Sequence, residues 1–159
     1  MNTTESTNIF NFAIKMEDDG EKFYRRLADK SADKGVKSIL NGLADDEVKH
    51  GRTLREFEKG ASAEMAETVI LGNAKNVFAG MDASKAFDAA GTDQLALYEQ
   101  ALEIERKSRE FYKLQADNSA VKSARDLFLK ISDEENRHYF LLENLISFIT
   151  QPQRGLENA

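Results

Sequence analysis

The chain has no cysteine, no tryptophan, one proline (Pro152) and only two histidines (His50 and His138) among its 159 residues. Without cysteine there are no disulfides, no thiolate metal site and no tetrathiolate iron centre within the chain. A lone proline near the C-terminus leaves the rest free of the strongest helix breaker, and frequent Ala, Leu, Glu and Lys favour helix over sheet. Lysine and arginine number 22 against 28 aspartates and glutamates, a net charge of −6. No basic stripe is present to displace phosphate counterions, which argues against nucleic acid. No apolar run approaches the roughly 20 residues that a membrane span needs. The N-terminal stretch MNTTESTNIFNF is polar, with no basic region followed by an apolar core. No signal peptide is therefore expected, and a cytoplasmic location is the default. The length suits one domain, residues 1–159, able to bury a substantial core.

Both histidines fall inside a repeat. Glu47-x-x-His50 recurs as Glu135-x-x-His138, and each copy is preceded thirty residues upstream by a glutamate, Glu17 and Glu105. The offset is 88 throughout: 17 to 105, 47 to 135, 50 to 138. Residues 13–32 align without gaps on 101–120, with Phe23/Phe111, Tyr24/Tyr112, Ala28/Ala116 and Ser31/Ser119 identical. The register persists through Asp45/Asp133 and Leu54/Leu142. Such self-similarity marks a duplicated supersecondary unit.

Within each copy the apolar spacing is helical. Val36, Ile39, Leu40, Leu43, Leu54 and Phe57 follow three- and four-residue steps, and at about 100° per residue Glu47 and His50 fall in the same stripe. Ala124, Leu127, Phe128, Ile131, Leu142 and Leu145 do the same around Glu135 and His138. Met16, Phe23 and Leu27 flank Glu17; Ile104 and Phe111 flank Glu105. All six polar residues are therefore expected to face inward. The spacing predicts helices near 8–30, 34–59, 93–117 and 121–149. Ser31, Asp33, Gly35, Asn118 and Ser119 supply turn and capping chemistry between them, so each pair forms an antiparallel hairpin. The organisation is an all-α bundle: hairpin 8–59, crossover 60–92, hairpin 93–149 and tail 150–159. The crossover is rich in small residues and long enough to run the length of a bundle, with a short helix expected around Ser84–Ala90. Residues 1–6 and 152–159 are expected to fray.

Glu-x-x-His puts a carboxylate and an imidazole one turn apart on one face, where both reach a common centre. One such motif is weak evidence, because surface decoration or a buried ion pair explains it as well. Two inward copies, each with its own upstream Glu, match the arrangement that dimetal carboxylate bundles use. Four glutamates bring about −4, which two divalent ions cancel; without metal some of the carboxylates should stay protonated. Oxygen and imidazole donors suit iron or manganese, and the lack of thiolate disfavours structural zinc. Tyr24 and Tyr112, seven residues after the lone glutamates, lie two turns along the same face and are placed to hydrogen-bond a ligand carboxylate; an ordinary core tyrosine is the plainer alternative. Asp46 and Glu134 precede the motif glutamates and are placed to accept the outer imidazole N–H of a histidine on the opposing helix, or else are solvated charges. Gly20 and Ser108 are small and inward, leaving room near the centre or allowing close helix packing.

On AIKMEDDGEKFY, LADDEVKH, ALEIERKSREFY and ISDEENRHYFLLENL, the chain resembles the ferritin-like di-iron carboxylate superfamily, most closely its rubrerythrin branch. The resemblance covers both hairpins and implies a ferritin-like four-helix bundle with two iron ions, manganese or a mixed pair being the alternatives. It implies Glu17 and Glu105 as terminal ligands, Glu47 and Glu135 as bridges, His50 beside Glu17 and His138 beside Glu105. The implied activity is reduction of hydrogen peroxide, or dioxygen, to water. Ferroxidase and iron storage, or a manganese catalase-like reaction, are the alternatives. Rubrerythrins carry a further carboxylate where this chain has Ser108, the residue their redox-linked iron shift uses; what remains is a symmetric six-ligand set, as in bacterioferritin-like centres. There is no rubredoxin domain, so electrons are expected from a separate donor protein. The family also implies a homodimer, and the long crossover permits exchange of hairpins between protomers.

Overall fold

Asp33 closes the first turn of the chain by accepting from the backbone N–H groups of Gly35, at 2.8 Å, and Val36, at 3.0 Å. This is the side-chain cap that a helix start needs. The computed structural model describes residues 3–60 and 64–157, and no strand occurs among them. Helix α1 (Thr3–Lys30) turns through 31–33 into α2 (Lys34–Glu58). A short α3 (Ile70–Ala79) precedes α4 (Ala83–Asn118), capped by Asp82 through the Lys85 N–H at 3.0 Å. Residues 119–121 lead into α5 (Lys122–Glu157). The helices α1 and α2 pack as one hairpin and α4 and α5 as the other. The architecture is the ferritin-like bundle of two hairpins joined by a long crossover.

The interior is layered along the bundle. One apolar cluster gathers Tyr24, Leu27, Leu40, Leu43, Tyr98, Leu141 and Leu145. A second gathers Phe10, Ala13, Leu54, Tyr112, Phe128 and Ile131. On each of α1, α2, α4 and α5 the glutamate, with its histidine where there is one, falls between a residue of one cluster and a residue of the other. Each fully buried large side chain contributes about 1.5–3 kcal/mol. These two slabs oppose the cost of holding a charged layer between them.

The crossover differs from expectation. Its short helix is α3, at Ile70–Ala79, whereas Ser84–Ala90 forms the first turns of α4. Ile70 and Ala74 bury against the first cluster, and α3 lies on α2 and α5. Gly42 permits this approach: a β-carbon there would stand 2.5 Å from Ile70 Cδ1. The non-helical stretch 64–69 is tied down by Lys49, whose Nζ donates to the Ala66 carbonyl at 2.8 Å, and by Lys130, which donates to the Met65 carbonyl. The ends also differ. Helix α1 already begins at Thr3, and α5 continues through Pro152 to Glu157 where a tail was expected. Residues 1–2 and 158–159 of the expected tails lie outside the described residues. No helix among the described residues is long and apolar enough to cross a membrane.

Candidate metal centre

Helical phase carries all six repeat residues to one layer. Glu17, Glu47, Glu105 and Glu135 are at most 5% exposed, and His50 and His138 are fully buried. They form two overlapping groups, Glu17–Glu47–His50–Glu135 and Glu47–Glu105–Glu135–His138, with donor atoms within 4.8 Å of one another in each. Glu47 and Glu135 belong to both. His50 Nδ1 lies 3.0 Å from Glu135 Oε1 and 3.4 Å from Glu17 Oε2. In the other half His138 Nδ1 lies 3.2 Å from Glu47 Oε1 and 3.3 Å from Glu105 Oε1. The two imidazoles face each other, ring centroids 5.8 Å apart and 20° from parallel.

Both sets of supporting residues expected from sequence are in contact with this layer, and each contact crosses between hairpins. Tyr24 Oη donates to Glu105 Oε1 at 2.5 Å, and Tyr112 Oη to Glu17 Oε1 at 2.6 Å. His50 Nε2 is 2.9 Å from Glu134 Oε1, and His138 Nε2 is 2.8 Å from Asp46 Oδ2. An ionised carboxylate only accepts, so each Nε2 carries a proton and each Nδ1 is the atom turned to the centre. Glu134 is buried and Asp46 half-buried, so neither is a solvated surface charge. Gly20 borders the same space, since a β-carbon there would stand 3.1 Å from Glu47 Oε2.

Two further residues escape sequence reasoning. Lys49 Nζ donates to Glu134 Oε1 at 2.7 Å and lies 3.8 Å from Asp46 Oδ1. Its place between Asp46 and His50 on one helix face was the available signal. Thr68 donates its backbone N–H to Glu134 Oε2 at 2.9 Å and its hydroxyl to Asp46 Oδ2. Nothing in the crossover composition marks it.

Burial is the largest influence on every group of the layer. It raises Glu47 and Glu135, and the surrounding glutamate charge pushes both well above the usual carboxylate range. For Glu17 burial acts upward but is outweighed by bonding to Glu47, the charge of His50 and the Tyr112 hydroxyl, leaving it low. Glu105 is held low in the same way by His138, Glu135 and Tyr24. Burial would lower both histidines, yet the charges of Glu17 and Glu105 and the bonds to Glu134 and Asp46 raise them well above their ordinary value. Without metal, burial and like charge thus favour the protonated form of Glu47 and Glu135, while Glu17 and Glu105 favour the ionised form.

Seven buried donor atoms still lack a hydrogen-bond partner: Glu17 Oε2, Glu47 Oε1, His50 Nδ1, Glu105 Oε2, both Glu135 oxygens and His138 Nδ1. Orphaned buried atoms of this kind are rare and mark an unfilled role, such as holding an ion. Adjacent ligand atoms around an octahedral cation with bonds near 2.1 Å lie about 3 Å apart, which is the spacing found between imidazole and carboxylate here. The donor set therefore fits metal, with oxygen and imidazole ligands and a shared pair of glutamates.

A model of the rubrerythrin family matches residues 8–146. No match was found among curated proteins or among solved structures. The matched span takes in most of both hairpins, the crossover and all six residues of the layer: the chain belongs to the rubrerythrin family.

Proposed function

We propose that the chain is a di-iron oxidoreductase that reduces hydrogen peroxide to water with electrons from a separate donor protein. The convergence of seven unpartnered donor atoms in a two-fold layer carries this reading. Glu17 and His50 would hold one iron, Glu105 and His138 the other, and Glu47 and Glu135 would span both. When bound, the iron pair supplies two electrons and the Lewis acidity that O–O cleavage requires.

The remaining chemistry belongs to the side chains. Burial and the nearby glutamates push Tyr24 and Tyr112 well above the ordinary phenol range, so both hydroxyls stay protonated and act as donors. Their bonds fix the rotation of Glu105 and Glu17. Asp46 and Glu134 fix the histidine tautomers and orient Nδ1 inward. The apolar slabs keep bulk water from the layer, which strengthens every electrostatic contact within it. Two protons per peroxide complete the balance, H2O2 + 2e− + 2H+ → 2H2O, and these must come from solvent. With no cysteine there is no thiolate iron centre in this sequence to supply the electrons, which is in keeping with a separate donor. A homodimer, with or without exchanged hairpins, belongs to this proposal.

The symmetry of the six residues, with Ser108 in place of a seventh carboxylate, also supports a ferroxidase reading. The test separates them. Metal-free protein is loaded anaerobically with two Fe(II) per chain and mixed with peroxide or with oxygen in stopped flow. Faster oxidation by peroxide, without uptake of further iron, is expected. Faster oxidation by oxygen with continued iron uptake and a large hollow assembly would reverse the assignment, and preferential manganese retention with peroxide dismutation would favour a catalase.

A further inference from the structure

The two carboxylates that hold the histidines meet at a single residue outside the duplicated hairpins. Thr68, half-buried in the non-helical stretch 64–69, accepts the Ile70 N–H on Oγ1 at 3.1 Å. That bond leaves the hydroxyl proton directed at Asp46 Oδ2, the oxygen that also faces His138 Nε2. Its backbone N–H reaches Glu134 Oε2 at 2.9 Å, while Glu134 Oε1 faces His50. Residue 156, where the repeat offset would put a counterpart, is leucine. One crossover residue therefore touches both histidine supports, one by side chain and the other by main chain.

We propose that Thr68 is a positioning residue that sets both imidazoles, His138 through Asp46 and His50 through Glu134. The consequence for metal rests on the reading of the layer given above; the consequence for the imidazoles does not. The two arms differ chemically. Removing the hydroxyl strips Asp46 of a donor, whereas Glu134 keeps both the residue 68 N–H and the Lys49 ammonium at 2.7 Å. An otherwise symmetric centre thus gains a built-in asymmetry, with the His138 half dependent on one hydroxyl.

The test uses Thr68→Val, which keeps the shape, Thr68→Ala, in case the valine methyl is not accommodated, and Thr68→Ser, which keeps the hydroxyl. In metal-free protein the two imidazole Nε2–H protons are followed by NMR. In the Val and Ala variants the His138 proton should exchange with water on the order of tenfold faster while the His50 proton is unchanged, and Ser should restore it. Titration with Co(II) should then give one of two positions weakened on the order of tenfold. Equal change at both histidines, as general loosening of α3 would cause, overturns the proposal, and so does no change at either. Wild-type protein that takes up no cobalt would refute the metal reading instead, with the imidazole result standing on its own.

Discussion

The Tyr112 hydroxyl lies 2.6 Å from Glu17 Oε1, and the two residues belong to different hairpins. Tyr24 and Glu105 repeat the contact in the other direction at 2.5 Å. Each tyrosine is thus a strut between the halves as well as a donor to the carboxylate layer. Tyr112→Phe should cost the metal-free protein about 1.5–3 kcal/mol, the range for hydrogen bonds to a charged group. It should also weaken metal about tenfold or more, chiefly at the position that uses Glu17. Anaerobic calorimetric titration checks this: the wild-type isotherm should split into two unequal sites, and an unsplit isotherm would leave Tyr112 a packing residue.

Glu135 and Glu17 should respond to the same substitution with opposite signs of evidence. Burial and the glutamates around it raise Glu135 well above the usual carboxylate range, which favours its protonated form in the metal-free layer. Glu135→Gln therefore replaces a neutral group by a neutral group, and metal-free stability should stay within about 1 kcal/mol of wild type. Metal should nevertheless be lost from both positions, because Glu135 belongs to both groups. Glu17 stays ionised and faces His50 at 3.4 Å, so Glu17→Gln breaks a buried charge pair. It should destabilise the metal-free protein by about 3 kcal/mol while sparing part of the metal content. Chemical denaturation and elemental analysis on the two variants decide the matter.

Stability should depend on pH in opposite ways with and without metal. His50 and His138 bind protons more tightly folded than unfolded, so their contribution is complete below the ordinary value of 6.5 and is lost as pH rises through the raised folded values. Glu47 and Glu135, raised above 4.5, act in the same direction. Glu17 and Glu105, lowered below 4.5, contribute in full above that value, and their stabilisation is lost only as pH falls through the lowered folded values. Above pH 6.5 the metal-free Tm should therefore fall. Divalent ions compete with the protons that the raised Glu47, Glu135, His50 and His138 favour, so metal binding strengthens as pH rises. The Tm gain on adding metal should widen from pH 6 to pH 8, and an unbuffered titration should register the released acid. A gain that is flat in pH would contradict the protonation pattern assigned to the layer.

The hairpins and their inward residues are legible in the sequence because duplication writes each of them twice. Helical phase needs only the spacing of Leu43, Glu47, His50 and Leu54 to place a glutamate and a histidine on the core face. Helix α3 is harder to see, although Ile70, Ala74, Val77 and Phe78 follow helical steps. Ten residues that include Gly72, Asn73 and Asn76 carry as much turn chemistry as periodicity. Thr68 leaves no trace at all, since it acts partly through an N–H that nearly every residue has and wholly through its tertiary position. The α5 end misleads for a simpler reason: Pro152 is a fair stop signal, but here the helix runs on through it.

Gly20 offers a test in which helix propensity and site geometry pull apart. It lies within α1, and the space its missing β-carbon leaves is taken by Glu47, whose Oε2 would be 3.1 Å away. Alanine is better than glycine in a helix interior by about 1 kcal/mol. The atom it meets is the far end of a flexible side chain, able to retreat by a few tenths of an ångström. Gly20→Ala should therefore raise the metal-free Tm. The retreat moves Glu47, which belongs to both groups, so affinity at both positions should fall, by about tenfold. Thermal melts with and without Mn(II) or anaerobic Fe(II) read both effects together: a higher baseline and a smaller metal-induced gain. An undiminished gain would mean that Gly20 serves helix packing alone and that Glu47 keeps its place without it.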